Sequence, residues 1–103
     1  MAAQFAAETI VLGQMPGSEP FEIHLGIGIP VQVSENEWAC SVSMGGLHSL
    51  PSQIRGESSW QALQLSNSLL RDLTSDFINR GGQLFWLDDP SARITLDVLW
   101  PGA

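Results

Sequence analysis

The stretch from Gly56 to Gly82, GESSWQALQLSNSLLRDLTSDFINRGG, constrains this chain most, because its start, its periodicity and its stop all agree on one long helix. Ser58 followed three residues later by Gln61 has capping-box spacing: the serine oxygen accepts from the Gln61 amide and the Gln61 side chain reaches back. At about 100° per residue, Leu65, Leu69, Ala62, Leu73, Phe77, Leu70 and Leu63 fall in one apolar arc, with Gln64, Ser68, Arg71, Asp72, Ser75 and Asn79 opposite. Ser66 lies inside that arc, where a helical serine on a buried face bonds the carbonyl four residues back, so it reads as a close-packing position. Gly81 and Gly82 supply the left-handed C′ conformation that ends the helix near Asn79. Twenty-one residues at a rise of roughly 1.5 Å make a rod of about 31 Å. On this reading Leu69→Asp or Leu73→Asp abolishes folding by placing an unpaired carboxylate in the stripe.

The rest of the chain reads as strands. Glu8 to Gln14 is a short apolar run closed by a loop from Met15 to Pro20 with two prolines and a glycine. From Phe21 to Ile29 alternation is strict: Phe21, Ile23, Leu25, Ile27 and Ile29 share one side, Glu22, His24, Gly26 and Gly28 the other. Pro30 interrupts, Val31 to Val33 continue past a kink or bulge, and Ser34 to Glu37 turn the chain. Trp38, Cys40, Val42 and Met44 then alternate with Ala39, Ser41 and Ser43 in a strand expected to pair antiparallel with the previous one. Gly45 and Gly46 end it. Leu47 to Arg55 connects to the helix, with a short strand near Gln53 to Arg55 as an option. After the helix, Gln83 to Leu87 reads as a strand, Asp88 to Ser91 as a turn, and Arg93 to Trp100 as a last strand with Ile94, Leu96, Val98 and Trp100 on one side. The layout β-β-β-α-β-β predicts one α+β domain over residues 1–103: two layers, an antiparallel sheet of four to five strands covered on one face by a single long α-helix.

Composition then limits function. The chain has 103 residues, 44% of them hydrophobic, and four tryptophans, which fits one packed domain. No apolar run approaches the roughly 20 residues of a membrane span. MAAQFAAE has no basic region and meets Glu8 early, unlike a secretory signal, and one cysteine forms no internal disulfide, so a cytoplasmic setting is the simplest expectation. Eleven acids against four arginines, with no lysine, give a net charge of −7. That opposes direct binding to a phosphate backbone and favours encounter with a basic protein. Simple solubility is the competing explanation of the charge.

Absent residues exclude chemistry. Without lysine or tyrosine there is no Schiff base and no tyrosine acid or base. Gly26-Ile27-Gly28 lacks the third glycine and the following helix of a dinucleotide fingerprint, and Gly45-Gly46 precedes no Lys-Ser or Lys-Thr. Cys40 with His24 or His48 is the conceivable nucleophile and base, but Cys40 shares a side with Trp38 and Val42 while His24 lies on the other side of its strand, so an inert buried thiol is expected. His24, His48, Asp88 and Asp89 lack metal-ligand spacing, and the aspartates read as solvated turn residues. No catalytic, metal or cofactor site is therefore expected.

The side of the sheet away from the helix is expected to present His24, Gly26, Gly28, Ala39, Ser41 and Ser43, small and almost uncharged, as a docking surface for a partner protein or a second copy. A loop or the N-terminal residues covering that face is the alternative. Trp60, off the centre of the helical arc, is expected to be partly exposed as a partner anchor. The candidate partner-binding residues are thus Trp60, His24, Glu35, Glu37, Ser41 and Ser43.

At Gly56-Glu-Ser-Ser-Trp-Gln61-Ala-Leu-Gln-Leu65 the chain resembles a family of small uncharacterised bacterial proteins whose helix opens Gly-x-Asp-Ser-x-Gln-Ala-Leu-x-Leu. Gly28-Ile29-Pro30, Trp38-Ala39-Cys40 and Trp86 sit in the same order, so the likeness covers about Phe21 to Leu87. Ser58 replaces the family's aspartate and keeps a capping oxygen, and Ser66 stands where alanine is usual. The resemblance implies a bacterial, intracellular, single-domain protein and brings no catalytic residues. Together these readings predict a non-enzymatic protein-binding module, an acidic inhibitor or immunity-type factor for a basic partner. A small enzyme or ligand-binding domain using His24, His48 or Cys40 is the alternative, and a homodimer joined through the sheet is a further one.

Overall fold

The long helix begins and ends on the expected backbone bonds. In the computed structural model, which describes residues 4–49 and 53–102, α1 spans Ser59–Asn79. Ser58 is extended, and its Oγ accepts from the Gln61 N–H at 3.0 Å. Gln61 reaches one residue further back than a strict capping box: its Oε1 accepts from the Glu57 N–H at 2.6 Å. At the other end the Gly81 N–H bonds the Ile78 carbonyl and the Gly82 N–H bonds the Phe77 carbonyl, both at 3.0 Å, which is a Schellman closure.

Seven antiparallel strands form one sheet. They are β1 (Phe5–Gln14), β2 (Phe21–Gly28), β3 (Val31–Ser34), β4 (Glu37–Gly45), β5 (Gln53–Gly56), β6 (Gln83–Trp86) and β7 (Arg93–Ile94), and a one-turn helix α2 (Leu96–Leu99) follows. The order is β3-β4-β2-β1-β6-β7, with β5 on the other edge of β4. Ile29 and Pro30 break what would be one strand into β2 and β3. The intact β4 spans the break, pairing β2 from Val42 to Gly45 and β3 from Glu37 to Ala39. A proline has no N–H for the ladder, so the kink falls there. The short strand before the helix is present as β5, while residues 50–52 of the connecting segment lie outside the described residues.

One helix therefore covers one side of an antiparallel sheet, in the two layers the pattern predicts, with seven strands rather than four or five. The core is Val11, Ile23, Leu25, Met44, Leu84 and Ile94 from the sheet, closed by Leu70 and Phe77 from α1. The helix is rotated from the expected arc. Its buried positions are Ala62, Ser66, Leu70, Thr74 and Phe77, whereas Leu65 is 46% exposed and Leu69 and Leu73 are half-buried. At roughly 100° per residue the shift is about 40°. Hydroxyls permit it: Ser66 Oγ donates to the Ala62 carbonyl at 2.7 Å and Thr74 Oγ1 to the Leu70 carbonyl at 2.8 Å, so both side chains enter the core with their polar atoms satisfied. The Ser66 bond is the one expected; Thr74 is not an apolar residue and its place in the core has no counterpart in the hydrophobic pattern.

The predicted last strand from Arg93 to Trp100 is corrected. β7 stops at Ile94, and Leu96–Leu99 turn into α2, leaving Val98 49% exposed. With Leu84 opposite Ile94, continued pairing would set Leu96 against Gly82 and Val98 against Arg80, and both of those are occupied in closing α1. The strand has no ladder to extend along. No helix among the described residues is long and apolar enough to cross a membrane.

Candidate functional site

The face of the sheet away from α1 is built by alternation. Ile23 and Leu25 point into the core, so His24 between them and Gly26 after them point out, and the β4 register sets Gly45 beside His24 and Ser43 beside Gly26. β1 adds Glu8 opposite Gly26, Ile10 opposite His24 and Leu12 opposite Glu22. β6 and β7 extend the row at Leu12 with Phe85 and Arg93. Only the middle of this face, on β2 and β4, carries the small residues the sequence reading describes; its outer strands carry apolar and charged side chains.

Even the middle is less bare than expected. A shift in the β1–β2 register leaves Ala6 unpaired, and this bulge brings Phe5 opposite Gly28. By strict alternation Phe5 would share the core side with Ala7 and Thr9; the bulge turns it to the open side. Its ring lies over Gly26, where a Cβ would come within 2.7 Å of Phe5 Cε1, and meets the His24 ring edge-on with centroids 5.2 Å apart. Glycine at 26 is thus the seat of the Phe5 ring. The alternative in which N-terminal residues cover this face holds for that one spot.

Beside Phe5 runs a chain of hydrogen bonds. Glu8 Oε2 lies 2.6 Å from His24 Nε2, and Ser43 Oγ lies 2.8 Å from His24 Nδ1. A carboxylate only accepts, so Nε2 carries a hydrogen toward Glu8. In the neutral tautomer Nδ1 then accepts from the Ser43 hydroxyl, whose oxygen in turn accepts from the Gly45 N–H at 3.3 Å. The order serine, histidine, carboxylate is that of a nucleophile relay, with the ring nitrogens exchanged relative to a serine-protease triad. The cleft of about 310 Å3 on the helix side of β1 does not include His24 or Ser43 in its walls.

Of the six candidate partner-binding residues, four share this face: His24, Ser41, Ser43 and Glu37. The Glu37 carboxylate is already paired with Arg55, which stands opposite Ala39 on β5 and reaches it diagonally. Glu35 lies in the turn between β3 and β4, where its carbonyl accepts from Gln32 Nε2 at 3.2 Å. Trp60 belongs to the helix layer and is 72% exposed. The candidates therefore form one surface and two outliers rather than one patch.

The residues considered for an enzyme do not converge. Cys40 is fully buried on the helix side with its thiol toward the Gly28 carbonyl at 3.2 Å, His24 is on the opposite side, and His48 is exposed beyond β4. Asp89 receives Ser91 Oγ at 2.7 Å in its own turn. Among the described residues no group of three His, Cys, Asp or Glu side chains stands together as metal ligands would.

Glu8, Phe5 and Ile10, like Leu12, Phe85 and Arg93 further out, are members of the open face that sequence reasoning did not single out. Ile10 is 40% exposed there. The alternation of β1 could have marked Glu8 and Ile10; Phe5 was hidden by the bulge.

The helix-opening motif, by contrast, is accounted for by packing. A Cβ at Gly56 would fall 2.6 Å from the Ala62 backbone nitrogen, Ser58 and Gln61 cap the helix, and Ala62 is wholly buried. No family model matches this chain, nor does any curated protein or solved structure.

Proposed function

We propose that this chain is a non-enzymatic protein-binding module of bacterial type, cytoplasmic, and that it docks a basic partner through the open face of its sheet as an inhibitor or immunity-type factor does. One observation carries the reading: among the described residues a helix covers one side only of the seven-stranded sheet, and the other side holds a Glu8–His24–Ser43 chain beside the exposed Ile10. A pre-organised polar group next to exposed apolar surface is what a docking face offers. The net charge of −7 would steer a basic protein toward it and repel nucleic acid.

The test compares surfaces. Partners captured from the native host by the wild-type protein are compared with those captured by Ile10→Glu, by Trp60→Ala and by Glu35→Lys/Glu37→Lys. The proposal expects a basic partner, released by salt, that Ile10→Glu loses and Trp60→Ala retains. Loss with Trp60→Ala alone places the docking surface on the helix and contradicts it.

A second reading rests on the same three side chains. An enzyme that uses Ser43 as nucleophile and His24 as base would need the relay just described. It predicts covalent labelling of Ser43 by a fluorophosphonate, abolished in His24→Ala. An unlabelled Ser43 removes it.

A further inference from the structure

β6 pairs β1 only from Val11 to Gln14, while β2 pairs β1 along nearly its whole length. Along residues 5–10 the outward-facing backbone groups of β1 consequently have no ladder partner among the described residues. Such an edge is a template for another extended chain. Below it, on the helix side, is a cleft of about 310 Å3, whose walls include Ala7, Glu8, Thr9, Leu70, Leu99 and Trp100, although the Glu8 carboxylate itself bonds His24 on the other face. It exists because the strand carries Ala7 and Thr9 where Val11 fills the same side further on. The far wall is pinned: Trp100 Nε1–H donates to Asn67 Oδ1 at 2.7 Å. A cavity of about 150 Å3 already holds a benzene-sized group, so this one admits a large apolar side chain.

The edge and the cleft lie side by side, and the two faces of β1 differ. A strand added beside residues 5–10 would send alternate side chains to opposite faces. On one face they meet the apolar cleft between Ala7 and Thr9. On the other they meet Glu8, in a molecule of net charge −7. A second copy is a poor occupant, because antiparallel pairing of two such edges brings Glu8 near its own counterpart.

We infer that the free edge of β1 binds an extended segment of a partner protein in which apolar and basic side chains alternate, adding an eighth strand to the sheet. This rests on the protein-binding reading above and specifies the partner's chemistry. The backbone ladder supplies attachment, the cleft selects the apolar positions, and Glu8 selects the basic ones.

The probe is a blocked six-residue peptide of alternating leucine and arginine; the control is its isomer with three leucines followed by three arginines, identical in charge. The alternating peptide is expected to bind at least about 10-fold more tightly, a difference of about 1.4 kcal/mol. It should slow amide exchange of β1 residues between 5 and 10. Ala7→Trp, which fills the cleft from an exposed position, and Glu8→Arg should each weaken binding about 10-fold or more while leaving the melting temperature within a few degrees. Equal binding of both peptides, unchanged exchange at residues 5–10, or indifference to Ala7→Trp overturns the inference. That failure would leave the wider proposal standing on capture sensitive to Ile10→Glu, and a partner lost with Trp60→Ala alone would defeat the wider proposal without touching the peptide result.

Discussion

The two faces of β2 are separated by one peptide bond and obey different rules. Ile23 and Leu25 lie 1% and 6% exposed beneath α1, held by packing with Val11, Met44 and Leu70. His24 and Gly26 face outward, held by Glu8, Ser43 and the Phe5 ring. The first face derives its order from burial, worth about 25 cal/mol per Å2 of apolar surface. The second derives its order from a few directed contacts in or near water, each worth on the order of 1 kcal/mol or less. A sheet with one face of each kind can lose side chains from the outer face and keep its fold, which is the freedom a recognition surface needs.

Substitutions can break or sharpen that contrast. The largest effect is expected from Leu70→Asp, which buries an unpaired charge in the core that includes Ile23 and Met44: a loss of at least about 4 kcal/mol, seen as absence of a cooperative urea transition. Its companion Leu65→Asp, on the exposed flank of the same helix, should change stability by less than about 1 kcal/mol. If the two behave alike, the orientation of α1 is wrong. Leu70→Ala should cost about 2–5 kcal/mol by the same melt.

An intermediate effect is expected at Gly26. Valine there must displace the Phe5 ring, so Gly26→Val should cost about 1–3 kcal/mol. Phe5→Ala in the same chain should relieve most of that loss, and a double-mutant cycle that sums to additivity would show that the ring does not sit on the glycine. The smallest effect is expected from His24→Ala, under about 1 kcal/mol, since Glu8 is more than half exposed and water replaces the lost partner. A loss as large as that of Leu70→Ala would mean that the outer face is structural after all.

What could be read from the chain follows the same division. The helix limits were legible because Ser58, Gln61, Gly81 and Gly82 act on backbone groups a few residues away. The opposed sides of Cys40 and His24 were legible because strand alternation is local. The rotation of α1 was not, because Thr74 counts as polar in any hydrophobic pattern while its hydroxyl is spent on the Leu70 carbonyl; Ser66 alone of the two was legible as a buried hydroxyl. The end of β7 was hidden for another reason. Leu96 continues a period of two, but its ladder position is Gly82, already engaged in closing the helix. Glu8 meets His24 only through the β1–β2 register and Phe5 turns outward only through the bulge at Ala6, so the most distinctive part of the open face depended on pairing between residues far apart in sequence.

Thiol accessibility tests the openness of the outer face most directly. In an Ile10→Cys variant, the native Cys40 serves as the buried reference beneath the same sheet. The account predicts that the introduced thiol reacts with an aromatic disulfide at nearly the rate of a free cysteine while Cys40 reacts only on unfolding. Protection of both thiols in the native protein would mean that the outer face is covered, by this chain or by a second copy, and would contradict the account.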